Sequence, residues 1–373
     1  MHYLNRKTLT KEVDLKRLLL CAVFTITALL PETAHACTGI TLRTAGGTPV
    51  PARTIEWAGN DLESKYAIVP RGFKQHSLLP DGQPDGMEFV SRYGYVGLAV
   101  QEKEFVVEGL NEAGLSAGLF YFPAYGKYVE YHEELKANTI SDLQLVSWIL
   151  GSFKTIDEVK FAMTDVRVVT IDPRGSTVHW RITEESGRQA VLEIINGKPK
   201  WYENQLGVLT NSPSFDWHLT NLNNYVNLSA GPISQRKVGN MTLTAFGGGG
   251  GLHGIPGDMT PPSRFVRAAF FQTTAPQQAT AEKTVTQAFH LLNNFDIPTG
   301  IQFEEGQEIP DIPSATQWTV VSDIANRRIY YRTMHNSNIR CFDLKSIDFK
   351  KVKHQWGMLD KEKKQPIEMV VIK

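Results

Sequence analysis

The chain has 373 residues, with 39 basic and 39 acidic side chains and 42% hydrophobic residues. A formal net charge of zero excludes a global field that would attract nucleic acid or an anionic membrane. Three cysteines in a chain of this length exclude a disulfide scaffold, and the length suffices for one large domain or two small ones.

The start of the chain has the pattern of a secretory signal peptide. Basic residues between Arg6 and Arg17 precede an apolar stretch at 18–30, and Ala34-His35-Ala36 is the small-x-small pattern that signal peptidase cuts. The apolar stretch is shorter than the about 20 residues of a membrane span. We therefore expect residues 1–36 to be removed, leaving residues 37–373 as a single periplasmic or secreted domain without membrane contact.

Cleavage after Ala36 would make Cys37 the first residue, with a thiol and a free α-amine on the same residue. The reference pKa values are about 7.7–8.0 for the amine and about 8.5 for the thiol. Such an amine can act as a general base towards its own thiol nucleophile. Three alternatives stay open: an ordinary strand residue with cleavage elsewhere, an acylated lipoprotein cysteine (although Ala34 stands where such signals usually have Leu), or a retained anchor.

Strand patterns dominate the chain after this point. Residues 38–43 alternate in polarity and are followed by the turn Ala45-Gly46-Gly47-Thr48, which predicts a hairpin. Pro49 and Pro51 suit a strand edge. Further strands are predicted at Tyr66–Val69, Gly94–Gln101, Glu104–Val107, Val166–Ile171, Thr177–Ile182, Ala190–Ile195, Trp318–Val321 and Arg328–Arg332.

Helix signals are fewer. Ser141 with Gln144, and Thr155 with Glu158, have the spacing of capping boxes ahead of apolar residues. Apolar residues at helical spacing predict two more helices, Ser263–Phe271 and Ala281–Leu292. Many antiparallel-type strands with a few segregated helices indicate an α+β fold.

Other motifs indicate no second chemistry. The five glycines of Gly247–Gly251 lack the Lys-Ser/Thr of a phosphate loop and predict a flexible loop. His132-Glu133-Glu134 lacks a second histidine four residues on, and the histidines show no zinc spacing, so no metal site is predicted. Arg53 and Glu56 follow the hairpin turn, where opposed strands would bring them beside Cys37; a guanidinium there would lower the thiol pKa, but a surface ion pair remains the alternative.

An ordered set of segments resembles the choloylglycine hydrolase family, which includes conjugated bile salt hydrolases and penicillin V acylases. The resemblance covers essentially all of residues 37–373. The segments are Cys37-Thr38-Gly39, Ala52-Arg53-Thr54-Ile55-Glu56-Trp57, Val69-Pro70-Arg71-Gly72, Gly109-Leu110-Asn111-Glu112-Ala113-Gly114-Leu115, Gly207-Val208-Leu209-Thr210-Asn211-Ser212-Pro213, Phe215-Asp216-Trp217-His218, Asn221-Leu222-Asn223-Asn224-Tyr225, and Gly254-Ile255-Pro256-Gly257-Asp258 running on to Ser263-Arg264-Phe265.

This resemblance implies a four-layer αββα sandwich of the N-terminal-nucleophile hydrolases, with two antiparallel sheets between helical layers. It implies hydrolysis of linear amide bonds without a metal or organic cofactor. By resemblance, Cys37 is the nucleophile, Arg53 and Arg264 are the active-site arginines, and the Asn211 side chain lines the oxyanion hole. Family members are often tetrameric, so the resemblance leaves a homotetramer open.

Three positions bear on specificity. Tyr121 stands where bile salt hydrolases typically have Asn, as in some penicillin V acylases, and its backbone N–H is expected to serve the oxyanion. Glu56 stands where the family usually has Asp, and we expect it to hold the amine and thiol. Trp57, as in the Gram-negative branch, adds aromatic bulk that favours aromatic or fatty acyl groups, although core packing is the alternative for this side chain.

The sequence therefore predicts an exported amidase with a small-molecule substrate, an apolar acyl group joined to a small polar amine. Penicillin V and N-acyl homoserine lactones are the expected types. A conjugated bile salt hydrolase is the alternative within enzymes. A non-catalytic exported binding protein with the same fold, in which Glu56 marks drift, is the alternative of another class.

Overall fold

The computed structural model describes residues 36–171 and 176–372, so residues 1–35 of the predicted signal peptide lie outside the described residues. In these ranges most strands belong to two antiparallel sheets. The smaller sheet has the order β1-β2-β16-β17-β18. Its strands are β1 (Ala36–Arg43), β2 (Pro49–Glu56), β16 (Thr316–Asp323), β17 (Arg328–Thr333) and β18 (Arg340–Asp343).

The larger sheet has the order β13-β12-β11-β8-β7-β6-β3-β19. Its strands are β3 (Lys65–Val69), β6 (Tyr95–Ala99), β7 (Val106–Asn111), β8 (Ser116–Tyr121), β11 (Val178–Thr183), β12 (Gln189–Ile195), β13 (Lys198–Glu203) and β19 (Gln355–Met358). Short pairs complete the strands: β4 (Lys74–His76) with β5 (Glu88–Val90), β9 (Thr139–Ser141) with β10 (Arg167–Val169), and β14 (Arg236–Val238) with β15 (Met241–Leu243).

Helices cover the outer faces of the two sheets. Helix α1 (Leu145–Ser152) packs on β7 and β8, whereas α4 (Pro261–Thr274) and α5 (Ala281–Leu292) pack on the smaller sheet. The inner faces of the sheets meet where β1 contacts β8. This arrangement is the predicted four-layer αββα sandwich, and the α+β prediction is confirmed. The other helices are α2 (Ile156–Ala162), α3 (Phe215–Asn221) and the 3-10 helices Glu133–Asn138, Asp142–Gln144, Leu222–Tyr225, Gly250–Leu252, Asn293–Phe295, Thr299–Gln302 and Leu344–Ser346.

The interface between the sheets is not uniformly apolar. On β11, Trp180 and its apolar neighbours alternate with polar residues, and every residue of the strand is buried. Arg181 of this strand donates from Nη1 to the carbonyls of Ile40 and Ala52, each at 3.1 Å, and so bridges the two sheets. A buried polar layer therefore lies beneath the start of β1.

The predicted elements are largely present. The hairpin forms with Ala36 opposite Glu56, and α5 has the predicted bounds. The predicted strand Glu104–Val107 is instead β7, which begins two residues later and runs to Asn111. Among the described residues, no helix combines the length and apolar character needed to cross a membrane.

Strand β2 is internal to its sheet, but its pairing with β16 ends at Ala52, so Pro49 and Pro51 lie on a local edge where only β1 pairs, as predicted. One local prediction needs correction. Ser141 does not cap its helix, because its hydroxyl lies 3.0 Å from the side-chain oxygen of Gln144. The Thr155 cap does form, since its side chain accepts a hydrogen bond from the backbone N–H of Glu158.

Candidate active site

A backbone register brings Cys37 and Asn211 together. Gly39 and Leu209 exchange backbone hydrogen bonds of 2.7 and 3.1 Å in an antiparallel bridge. Counting outward from this bridge places residue 37 opposite residue 211. A Cβ atom on Gly39 would lie 2.8 Å from both the Arg181 guanidinium and the Phe120 ring, so a glycine is required for this close approach.

The thiol of Cys37 is buried and faces hydrogen-bond donors. Arg53 Nη2 lies 2.7 Å from the sulfur, and the backbone N–H of Tyr121 is also directed at it. Burial raises the thiol pKa, and the Arg53 charge is the largest influence that lowers it, because a guanidinium stabilises a thiolate. The site therefore opposes the cost of burying a thiolate with a fixed cation.

Arg53 is held rigidly. Its guanidinium lies 4.0 Å from the centroid of the Phe120 ring, and Nη1 donates to the carbonyl of Leu119. Its Nε donates to the carbonyl of Thr54 at 3.2 Å. Because the guanidinium is planar, these contacts fix the direction in which Nη2 points.

Two buried charges that the sequence analysis did not identify lie next to Arg53. Glu108 on β7 is 3.7 Å from Arg53 and 3.5 Å from Arg181 on β11. Together with Arg264 and Glu56, these residues form a cluster in which three buried guanidinium groups face two buried carboxyl groups. Within this cluster the positive charges of Arg53 and Arg264 favour the Cys37 thiolate, against the burial and the Glu56 carboxyl group that raise the thiol pKa.

Asn211 and Arg264 surround the backbone of Cys37. The Oδ1 of Asn211 accepts from Cys37 N at 2.9 Å and from Arg264 Nη2 at 2.7 Å, while its Nδ2 donates to the carbonyl of Tyr121 at 2.7 Å. These partners fix the orientation of the amide. Arg264 Nη1 also donates to the Cys37 carbonyl at 2.6 Å and to the Thr38 hydroxyl at 2.8 Å.

Glu56 lies on β2 directly opposite Ala36. It is buried, and in the described part of the chain no hydrogen bond of normal geometry reaches either carboxyl oxygen. Burial raises the pKa of this carboxyl to about 7, against the opposing charges of Arg264 and Arg53. While Ala36 precedes Cys37, the nitrogen of Cys37 is a peptide nitrogen, and its hydrogen bond goes to Asn211 rather than to Glu56.

The structure thus gathers Arg53, Tyr121, Asn211 and Arg264 around Cys37, the first two at its sulfur and the last two at its backbone. Glu56 lies on the neighbouring strand, where it pairs with Ala36. Trp57 follows β2, is half-buried against the core, and donates from its indole N–H to Asn60 at 2.5 Å.

The sequence does place polar residues such as Glu108 and Arg181 within strands, but this pattern usually indicates something other than a buried site. Polar residues at alternate positions of a strand normally indicate a solvent face, whereas His179, Arg181 and Thr183 are buried. Only the second sheet, stacked on this face, reveals the burial. Among residues 36–171 and 176–372, no group of three potential metal-ligand side chains converges.

Comparison with known proteins gives concordant matches. A family model described as "Linear amide C-N hydrolases, choloylglycine hydrolase family" matches residues 37–355. A bile salt hydrolase/transferase of Clostridium perfringens is 32% identical over 316 residues, covering 83% of this chain and 92% of the relative. A penicillin V acylase of Pectobacterium atrosepticum is 26% identical over 326 residues, covering 81% of this chain and 78% of the relative.

The solved structures agree with the sequence relatives. A mutant conjugated bile acid hydrolase from Clostridium perfringens superimposes with a TM-score of 0.77 at 28% identity, covering 90% of this chain and 100% of that one. The match covers nine tenths of this chain, so the similarity extends over most of the fold.

Proposed function

The chain belongs to the choloylglycine hydrolase family, whose members hydrolyse linear amide C–N bonds, and from this premise we propose that it is an exported amidase with the Cys37 thiol as nucleophile. Removal of residues 1–36 would free the α-amine of Cys37. That amine would then serve as general base for the thiol of the same residue.

The proposed reaction uses each group in turn. The amine of Cys37 takes the thiol proton, and the thiolate attacks the amide carbonyl. The Nδ2 of Asn211 and the backbone N–H of Tyr121 stabilise the oxyanion. The protonated amine gives its proton to the leaving nitrogen, the C–N bond breaks, and a thioester remains. Water, deprotonated by the same amine, then attacks the thioester carbonyl, the C–S bond breaks and the acid is released. The protonated amine returns its proton to the Cys37 thiolate.

One observation carries this proposal: the sulfur of Cys37 lies 2.7 Å from Arg53 Nη2 while Asn211 holds the nitrogen of the same residue at 2.9 Å. The thiol is within hydrogen-bond distance of the Arg53 cation, and the nitrogen of the same residue is within hydrogen-bond distance of the Asn211 amide. A group that needs no rearrangement before attack lowers the entropic part of the barrier.

We place the substrate among amides of an apolar acyl group and a small polar amine, with penicillin V and N-acyl homoserine lactones as leading candidates. The aromatic bulk of Tyr121 and Trp57 supports an aromatic or fatty acyl group over a steroid. A conjugated bile salt is the second candidate, because the relative that is 32% identical is a bile salt hydrolase/transferase.

The proposal can be tested by controlling where the chain begins. Ala36 is the first residue of β1 and is buried with Ala58, Ile297 and Ala315. A chain that begins at Ala36 should keep the fold but lack the amine at Cys37, and should be inactive. The secreted protein should begin at Cys37 by intact mass and hydrolyse at least one of penicillin V, an acyl homoserine lactone and glycocholate.

Two variants complete this experiment. Cys37→Ser should lose hydrolysis of every substrate in the panel, while Cys341→Ser, which alters an exposed cysteine, should keep it. Equal activity of the chains that begin at Ala36 and Cys37, or an active Cys37→Ser variant, would refute the proposed nucleophile.

We also propose that copies of the chain associate through the hairpin of β14 and β15. Val238, Met241 and Leu243 on this hairpin, and Phe246 after it, are exposed apolar side chains. A second copy is the occupant we propose, because self-association of these side chains buries apolar area on both copies at once.

A further inference from the structure

Two buried histidines bond to consecutive backbone carbonyls at Asn211. His179 Nε2 lies 3.0 Å from the carbonyl oxygen of Thr210, and His218 Nε2 lies 2.8 Å from that of Asn211. Both side chains are fully buried. A carbonyl oxygen can only accept, so each Nε2 carries the hydrogen and donates it.

Each imidazole is also stacked on a phenylalanine that adjoins another site residue. His179 stacks on Phe122 at 4.4 Å between ring centroids, and Phe122 follows Tyr121 in the chain. His218 stacks on Phe265 at 4.6 Å, and Phe265 follows Arg264. The two histidines therefore connect the backbone at Asn211 to the segments that carry two of the three partners of its side chain, Tyr121 and Arg264.

The other ring nitrogens differ. His179 Nδ1 lies 3.2 Å from Glu193 Oε1, and that oxygen accepts from the backbone N–H of Phe215 at 2.8 Å. His218 Nδ1 is buried and, among the residues described, meets no hydrogen-bond partner. Burial lowers the pKa of His218 to about 4, so its ring is neutral near pH 7 with the proton on Nε2.

We propose that His179 and His218 are positioning residues that hold the Asn211 side-chain amide where the oxyanion of the amide substrate forms. This inference rests on the proposed function, because it deepens the role of Asn211 in that reaction. The position of the backbone of a residue determines where its side chain lies. A displacement of about 1 Å at a reacting centre can lower the rate about a hundredfold. Two fixed donors on adjacent carbonyls restrict that displacement.

The first test removes the donor of His218 but keeps the ring stack. His218→Phe should lower kcat by about ten- to a hundredfold with little change in KM, since the loss falls on the transition state. The alkylation rate of Cys37 by iodoacetamide should stay at the wild-type level, because the thiol and Arg53 are untouched. His218→Gln, which can restore an N–H at the Nε2 position, should recover most of kcat.

A matched control uses His335, whose Nε2 bonds to Asp61 at 3.0 Å in another part of the fold. His335→Gln should leave kcat unchanged. If His218→Phe does not fold, His218→Gln alone carries this test, and a hundredfold loss of kcat in that folded variant would overturn the inference. A wild-type kcat in folded His218→Phe, or equal losses of hydrolysis and alkylation, would also overturn it.

A double-mutant cycle distinguishes this inference from the proposed function. In an Asn211→Ala background, His218→Phe should cause no further loss, since the histidine acts through the missing amide. Independent, additive losses would overturn the positioning role. If Asn211→Ala alone keeps the wild-type kcat, the oxyanion role in the proposed function fails. If Asn211→Ala loses activity and His218→Phe does not, only the positioning role fails.

Discussion

Arg53 approaches Cys37 from the next strand, with Nη2 2.7 Å from the sulfur. The two residues lie on β2 and β1, and Arg53 pairs in register with Gly39 rather than with Cys37. Its side chain therefore reaches back along the sheet to meet the thiol. Contacts with the Phe120 ring and the Leu119 carbonyl fix the conformation of this side chain. The cation next to the thiol is therefore positioned by the fold itself.

Removing this cation should make the thiol harder to ionise. In Arg53→Met the pH midpoint of iodoacetamide alkylation should rise by at least about one pH unit, because a nearby opposite charge typically shifts a pKa by one to three units. Arg53→Lys retains the charge and should show a smaller rise. The control is Arg92→Met at an exposed arginine. A midpoint unchanged in folded Arg53→Met would show that Arg53 does not stabilise the thiolate.

The glycine at position 39 should be needed for both stability and activity. Gly39→Ala would force a Cβ to within 2.8 Å of Phe120 and Arg181, which is closer than real Cβ contacts. Overpacking of this kind typically costs about 1–3 kcal/mol. Urea unfolding should show that loss, and kcat should fall because the register between residues 37 and 211 is disturbed.

Gly46 offers the matched control in the same hairpin. A Cβ at Gly46 would meet only the Thr44 hydroxyl, at 3.7 Å. Gly46→Ala should therefore leave both the free energy of unfolding and kcat close to wild type. Equal effects of the two substitutions would mean that the close approach at Gly39 is not the cause.

The parts of the fold that depend on local pattern could be predicted from the sequence. The hairpin of β1 and β2 follows from alternation and a glycine turn, and α5 follows from apolar spacing. The four-layer arrangement is instead what the family resemblance implies. Alternation alone does not indicate which of the two sheets a strand joins. The neighbour of β2 in its sheet is β16, which comes from the far end of the chain.

The buried polar layer beneath the site could not be predicted for a physical reason. Arg181 and His179 occupy strand positions whose alternation is the same as that of a solvent-facing strand. Their burial depends on contacts with β1 and with the segment at Thr210, far away in sequence. Cys37 is predicted from the cleavage pattern and Asn211 from the resemblance, and the Gly39–Leu209 bridge gives the structural reason for their proximity.

Glu56 should make stability depend on pH in a chain that begins at Ala36. Its folded-state pKa of about 7 lies above the ordinary glutamate value of 4.5, so its stabilising contribution is present below about pH 4.5 and is lost as pH rises through about 7. A shift of this size corresponds to on the order of 3 kcal/mol. Glu56→Gln stays neutral and should gain stability over wild type at pH 8 relative to pH 5.

Urea unfolding at pH 5 and pH 8 of the wild-type and Glu56→Gln proteins, both beginning at Ala36, measures this difference in the free energy of unfolding. Glu282→Gln, at an exposed position on α5, is the control and should show the same difference from wild type at both pH values. The explanation for Glu56 fails if the Glu56→Gln chain also differs from wild type by the same amount at both pH values.

The exposed hairpin should control assembly. In the double variant Met241→Ser, Phe246→Ser, the mass from light scattering should fall towards that of one chain, because apolar area at the contact is lost. Phe161→Ser, at an exposed phenylalanine on α2, is the control and should not change the mass. A wild-type mass for the double variant would place the contact elsewhere, and a wild-type chain that is already monomeric would exclude assembly through this hairpin.

Tyr121 separates the chemistry of the site from its specificity. Its backbone N–H is directed at the Cys37 sulfur and its carbonyl accepts from Asn211 Nδ2 at 2.7 Å. Both groups survive a change of side chain, so Tyr121→Asn should keep hydrolysis. The smaller Asn frees volume at the end of β8, so the ratio of kcat/KM for glycocholate over penicillin V should rise by about tenfold or more. Tyr121→Phe, which keeps the ring, should leave that ratio near wild type. A Tyr121→Asn protein with an unchanged ratio would show that this side chain does not select the acyl group.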